Sequence, residues 1–318
     1  EFMTIKKPYL GNVLIQMAAF IVVVAGLRAA DTLIVRFLLA IFISLIFSPI
    51  YFGLRRRKVP TIIAIFIVLI IILAFFILVG TLVGTSLASF TNDWPSYQKN
   101  LMKLINDMII WLNDQGLNIP ASTVRDMLNP GIILGMIGNI FTSLTGMFSD
   151  TLLILITVVF LLLEASSLPV KIAMIWGQDS KANQDIDGFN KNMQRYMLLK
   201  SLVSLATGII VTFSLLALGI DYPLLWGLIA FLFNYVPTIG SILASIPPIV
   251  LALVQLGWLH ALITALIYLA INTVIGNFID PRLLGKGLGL SPLIVFISVI
   301  FWGWVLGPIG FLLCVPLT

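Results

Sequence analysis

The residues able to do chemistry in this chain are the few polar ones set at the ends or breaks of long apolar runs. Asp280, close to Arg282, closes one such run. A carboxylate there could bind a monovalent cation or relay a proton; a satisfied salt bridge at the membrane surface is the competing reading. Asn234, Tyr235, Thr238 and Ser241 cluster at a second break. Asn272, Thr273 and Asn277 lie one and two turns before Asp280, roughly on one helical face. Amides and hydroxyls suit a small polyol, which needs hydrogen-bond partners rather than charges. The same groups also tie membrane helices together, at about 0.6 kcal/mol each. Pro237, Gly240, Gly307, Pro308 and Gly310 belong to the backbone breaks themselves, where glycine turns tightly at little steric cost.

Catalysis finds little to work with. The single histidine, His260, stands beside Trp258 at a segment end, where an interfacial anchor fits better than a base. One histidine cannot make a two-histidine zinc site, and no G-x-x-x-x-G-K-[ST] loop is present to drive a pump with a nucleotide. The lone Cys314 excludes an intrachain disulfide and argues against a cysteine metal site. Gly84-Thr85-Ser86 with His260 as base is a remote intramembrane-hydrolase arrangement that lacks a third partner. No enzyme activity, metal or cofactor is expected.

The elements that must position these residues are membrane helices. The 318 residues are 60% hydrophobic and 10% charged, with mean hydropathy +1.13. Soluble domains carry about 25% charged residues. The net charge of +5 sits at the ends of apolar segments. It therefore reads as membrane topology and not as a nucleic-acid surface. Glu1-Phe2 precede Met3 and are set aside as foreign to the native chain.

Apolar spans are expected over 13–27, 32–54 and 62–83. The tetrad Arg55-Arg56-Arg57-Lys58 between the second and third marks a cytoplasmic turn and, with Lys6-Lys7, a cytoplasmic N-terminus. Residues 84–150 turn acidic and form an external segment. Within it Leu101, Leu104, Ile105, Met108 and Leu112 recur at helical spacing, so this amphipathic helix should lay its apolar face on the bilayer or on a neighbouring subunit. Asn118-Ile119-Pro120 and Asn129-Pro130-Gly131 bracket a second short helix, and a tilted helix runs from Gly131 and ends at Glu164. Lys171, Lys181, Lys191, Arg195 and Lys200 make 165–200 a cytoplasmic linker. A C-terminal core, 201–318, holds a span over 201–218, a broken stretch over 224–256 interrupted at 234–241 and at Pro247-Pro248, a span over 261–279, and a last helix capped by Ser291-Pro292.

Two breaks echo one another. Pro237-Thr238-Ile239-Gly240 is followed by an apolar run and Pro247; Gly307-Pro308-Ile309-Gly310 is followed by an apolar run and Pro316. By this topology they enter the membrane from opposite sides. Paired broken segments of opposite direction point to a transporter's substrate site near the midplane, and Pro-kinked packing helices are the plainer alternative. Re-entrant hairpins and short crossings both remain open. The fold class is thus all-α: a polytopic protein of about seven or eight spans with two broken or re-entrant segments and an amphipathic external segment. Its four parts are 1–83, 84–150, 151–200 and 201–318.

The runs Asn234-Tyr235-Val236-Pro237-Thr238-Ile239-Gly240-Ser241, Asn277-Phe278-Ile279-Asp280-Pro281-Arg282-Leu283-Leu284-Gly285 and Gly289-Leu290-Ser291-Pro292-Leu293 resemble the signature of the autoinducer-2 exporter family. So do Trp302-Gly303, Gly307 to Gly310 and Val315-Pro316-Leu317. The N-terminal half resembles the family in layout. Asp280 stands where glutamate is common in that family. The resemblance implies a permease of a bacterial inner membrane, multi-pass and independent of ATP, that exports the quorum-sensing signal autoinducer-2. It also implies sodium or lithium exchange for protons in some members, and a homo-oligomer, with a pentamer among the forms expected. Three functions stand as expectations: a secondary transporter of a small polar solute working by alternating access, a monovalent cation/proton antiporter coupled through Asp280, or a passive oligomeric pore or scaffold. The partners expected are the lipid bilayer, the solute or cation, and further copies of the chain, with no nucleic acid.

Overall fold

The computed structural model describes residues 10–116, 151–176, 181–236, 239–284, 291–314 and 317–318. Every regular element among them is helical. Helices α1 (Leu10–Ala29) and α2 (Asp31–Arg56) are joined by Ala30 alone. A tight turn through Lys58 leads to α3 (Thr61–Asp114). Then come α4 (Thr151–Trp176), α5 (Lys181–Ala217), α6 (Pro223–Phe233), α7 (Ile239–Leu256) and α8 (Trp258–Asn272). The last runs through a π-helical stretch, Thr273–Ile279, into α9 (Asp280–Leu284), and α10 (Pro292–Leu313) is the final helix.

Among the described residues, five segments are long and apolar enough to cross a membrane: Asp31–Arg56, Thr61–Asp114, Asn192–Ala217, Ile239–Leu256 and Trp258–Ile279. Shorter apolar helices occupy Leu14–Ala29, Thr151–Glu164, Pro223–Phe233 and Leu293–Gly307. Large side chains such as Phe66, Ile70, Phe160 and Phe213 stand exposed around them, as a hydrocarbon solvent permits. The protein is a multi-pass, all-α membrane protein.

Two helical groups carry the core. In the first, Leu39, Ile43 and Tyr51 of α2 meet Ala64, Val68 and Ile72 of α3 and Ile154, Val158 and Leu162 of α4. In the second, α5, α6, α7 and α8 pack in sequence around Val211, Leu225, Trp226, Ala252 and Tyr268. The α5–α6 contact is close enough that backbones nearly touch. A Cβ on Gly208 would lie 2.7 Å from the Gly227 carbonyl oxygen, and one on Gly227 would overlap the Thr212 side chain.

Several sequence-based boundaries dissolve in this frame. The third span and the amphipathic segment are one helix: α3 passes through Gly84 and Pro95 without a break. Its Tyr97, Leu101, Ile105 and Ile109, one turn apart, are buried within this chain, while Met108 and Trp111 are exposed. The bilayer or a neighbouring subunit is therefore not needed to cover the whole apolar face. Helix α4 continues past Glu164, and α5 runs unbroken from Lys181, so the expected linker is largely helix. Helix α7 also runs through Pro247 and Pro248. Neighbouring helices in membrane proteins tolerate such prolines because the freed carbonyls find other partners. The expected turns at Asn118-Ile119-Pro120 and Asn129-Pro130-Gly131, and the start of the helix from Gly131, lie outside the described residues.

Candidate functional site

The two broken segments are helical hairpins. In the first, α6 descends for 11 residues, about 16 Å, which is too short to cross a hydrocarbon layer of about 30 Å. The base of the hairpin is pinned. Gln255, at the end of α7, accepts from the Asp221 amide through Oε1 (3.1 Å) and donates to the Gly219 carbonyl (3.1 Å). Both arms therefore share one face of the membrane. The tip lies beside Ser201 of α5 and packs on Phe42, near the middle of α2.

The second hairpin is folded into α10. Helical dihedrals fail at Gly307 (φ 65°, ψ −148°), a conformation that favours glycine. The chain then doubles back, so that Ser298 Oγ donates to the Cys314 carbonyl at 2.9 Å across 16 residues. Its tip reaches the α1–α2 turn, where Val305 and Leu306 pack on Val24 and the Arg28 guanidinium lies 4.7 Å over the Trp304 ring. That turn is at the opposite end of α2 from Arg55-Arg56-Arg57-Lys58. The first hairpin is rooted at the membrane face of the α1–α2 turn, and the second enters from the basic face.

The echo seen in the sequence has a physical counterpart. A Cβ on Gly240 would overlap the Phe233 carbonyl oxygen and crowd Val236 Cβ at 2.9 Å; one on Gly310 would overlap the Trp302 carbonyl oxygen and crowd Leu306 Cβ at 3.0 Å. Each glycine lets the returning arm press against the carbonyl of the arm before it. The tips overlap in depth, with Val236 and Ile239 of the first packed on Val299, Trp302, Phe311 and Cys314 of the second.

Polar groups collect where the first tip meets α5. Asn234 Nδ2 donates to Ser204 Oγ at 3.0 Å, and the Tyr235 hydroxyl donates to Ser201 Oγ at 2.7 Å. Ser201 Oγ in turn donates to the Met197 carbonyl at 2.7 Å. On the same stretch of α5, Lys200 Nζ lies 2.6 Å from Asp280 Oδ2. Lys200 is only 5% exposed, and Asp280 Oδ1 is buried with no hydrogen-bond partner among the described residues. The π-helical stretch sets the carboxylate, since the Asp280 amide bonds the Ile275 carbonyl five residues back instead of four. A wide turn of this kind rotates the residues after it and often marks a functional position.

The expected site residues divide accordingly. Asn234, Tyr235 and Asp280 come to α5. Asn277 is exposed and Asn272 half-buried, because the π turn breaks the α-helical register that had put them on the face of Asp280. Arg282 is exposed, and the ionic partner of Asp280 is Lys200 on another helix. Ser241 is half-buried in the first turn of α7. Pro237 and Thr238 lie outside the described residues, and Pro308 follows the Gly307 kink. Lys200, Ser201 and Ser204 were missed, because Lys200 read as one more basic residue of a cytoplasmic linker. The signal open to notice was a lone lysine between Leu199 and Leu202 with serines at one and four residues.

At the other end, a network unforeseen in the sequence ties α3 to the base of the first hairpin. The Tyr97 hydroxyl donates to Asp221 Oδ2 and the Tyr222 hydroxyl to Asp93 Oδ2, each at 2.6 Å. Tyr222 holds a left-handed backbone (φ 59°), and Trp226 Nε1 donates to the adjacent Asp221 carbonyl at 3.0 Å. Partial burial, and then the bond to Asp93, push the Tyr222 hydroxyl up to about 12. It therefore remains a donor through the neutral range.

Opposed hairpins around a mid-membrane polar cluster define a multi-pass helical protein with the anatomy of a transporter. Residues 17–318 match the AI-2E transporter family, and the chain belongs to it. It is 36% identical over 307 residues to the AI-2 transport protein TqsA of Escherichia coli K12, covering 96% of this chain and 89% of TqsA. A Haemophilus influenzae protein provisionally named for transport is 37% identical over 318 residues, covering 97% and 90%. The similarly named YhhT of Escherichia coli K12 is 33% identical, covering 96% and 88%. The protein is a membrane transporter of this family.

Proposed function

We propose that the protein is a secondary transporter exporting a small polar solute of the autoinducer-2 class by alternating access around its two hairpins. The supporting observation is the pair of opposed hairpins whose tips overlap beside a cluster of one amide and three hydroxyls. Such a pair offers each face of the membrane its own gate, and Asn234, Tyr235, Ser201 and Ser204 can exchange their mutual hydrogen bonds for those of a polyol. TqsA, at 36% identity, is named for AI-2 transport, which favours the same solute class here. The basic tetrad Arg55-Arg56-Arg57-Lys58 supports placement in a bacterial inner membrane with that turn and the N-terminus in the cytoplasm. Homo-oligomers, a pentamer among them, are part of the same proposal.

The Oδ1 of Asp280, without a hydrogen-bond partner among the described residues, favours a second reading, a cation/proton antiporter. Purified protein in liposomes separates the readings when solute uptake and internal pH are measured together, with and without a proton gradient. Gradient-driven accumulation of autoinducer-2 supports the exporter. Sodium-dependent proton flux without solute movement replaces it with the antiporter, and equilibration without accumulation leaves only a passive pore.

A further inference from the structure

Lys200 and Asp280 stand 80 residues apart in sequence and meet with the lysine side chain buried and the aspartate side chain 17% exposed. A carboxylate so placed demands a cation, since an uncompensated buried charge is costly. Lysine meets that demand as a compact point charge on a flexible four-carbon stem, unlike the rigid fork of arginine. It engages Oδ2 at 2.6 Å, while Oδ1 is buried with no hydrogen-bond partner among the described residues. Among the described residues one carboxylate oxygen is thus open to a further ligand, and the other is occupied by a compact monovalent cation. The same turn of α5 carries Ser201 and Ser204, which hold the tip of the first hairpin.

We infer that Asp280 is the centre of a monovalent-cation site whose resident occupant is the Lys200 ammonium, a tethered cation that makes a free alkali ion unnecessary. This inference rests on the transporter reading for its meaning and deepens it: where an exchanger would bind sodium or lithium from solution, this chain supplies the charge itself. Solute movement is then independent of sodium, and α5, which carries Lys200 on Asp280 and Ser201 and Ser204 on the hairpin tip, links the occupancy of one to the position of the other. Removing the ammonium while keeping the carboxylate opens the site to small cations from the medium.

The test is thermal unfolding of the full chain in detergent, in sodium chloride or lithium chloride against choline chloride at equal ionic strength. The wild type melts at the same temperature in all three. Lys200→Met melts lower in choline and is raised saturably by sodium or lithium, by about 5 °C or more. Lys200→Met/Asp280→Asn loses that response, which a merely structural lysine would not produce. A Lys200→Met protein indifferent to sodium overturns the inference. If that variant does not fold, the wild type decides: a saturable rise of its melting temperature with sodium over choline means that the site takes a free ion, and the tethered cation is refuted. Because melting needs no solute movement, failure here is distinct from failure of the exporter reading, which the liposome assay tests alone.

Discussion

A buried lysine–aspartate pair is an unusual investment at the residue scale. Breaking it by removing one partner leaves the other charge stranded, at a cost of about 3–5 kcal/mol, whereas replacing both by apolar residues of similar size costs far less. Lys200→Ala in choline is accordingly expected to lower unfolding stability by that amount, and Lys200→Met/Asp280→Leu to recover most of it in denaturant titrations. If Asp280 couples ions, Asp280→Asn abolishes any sodium–proton exchange, and exchange unchanged in that variant removes the residue from the mechanism. Asn234 has a different task. Its bond to Ser204 is a neutral interhelical contact worth about 0.6 kcal/mol, so Asn234→Ala should leave assembly intact. A raised transport KM is expected from that variant, and an unaltered KM would exclude Asn234 from solute contact.

At the scale of elements, the fold depends on glycines where helices press on backbone. Gly240 and Gly310 occupy matching places in hairpins of opposite direction, each against the carbonyl of its own first arm. Backbone cannot retreat as a flexible side chain can, so a methyl group at either position must spread the hairpin. Gly240→Ala and Gly310→Ala are each expected to cost about 1–3 kcal/mol and to slow transport to a comparable degree. Unequal effects, one severe and one silent in melting and flux, would argue against functional equivalence of the two hairpins. Gly227→Ala should behave as a different kind of lesion. It pushes α6 off α5 at Thr212 and so separates Asn234 and Tyr235 from their serine partners together.

Across the whole molecule, α3 connects the two helical groups, since its first half packs with α2 and α4 and its second half with α7. The Tyr97–Asp221 and Tyr222–Asp93 bonds fasten that second half to the root of the first hairpin. Tyr222 has its hydroxyl raised from 10.0 to about 12, so the folded state holds the proton more tightly than the unfolded chain does. Its contribution is complete below about pH 10 and is lost as the pH rises to about 12. Base titration of the unfolding temperature should show this loss, and Tyr222→Phe should remove the part of it due to this group. The contact between hairpin tips can be trapped directly. With Val236→Cys, oxidation is expected to form a bridge to Cys314, its neighbour in the same packed cluster, and to stop transport until the bridge is reduced. Transport undiminished in the oxidised protein would show that the tips need not separate.

Much of this protein was legible from composition and punctuation. Ten per cent charge and runs such as 62–83 leave no solvent but lipid, and the Asn-Tyr-Val-Pro-Thr-Ile-Gly and Gly-Pro-Ile-Gly breaks showed where the backbone is interrupted at membrane depth, with hairpins and short crossings both fitting them, because a broken backbone there must be sheltered by protein. Chain order also revealed that the two breaks echo each other. Pairing between distant helices was beyond its reach. Lys200 reads as a linker cation until α5 is seen to be unbroken and Asp280 is turned onto it by a π-helical turn that α-helical spacing does not anticipate. The tyrosine–aspartate fastening, likewise, joins residues more than 120 apart. Hydrophobicity and glycine–proline placement act locally and are written in consecutive residues. The partner of a buried charge is chosen by whichever helix packs beside it, and only the tertiary structure decides that.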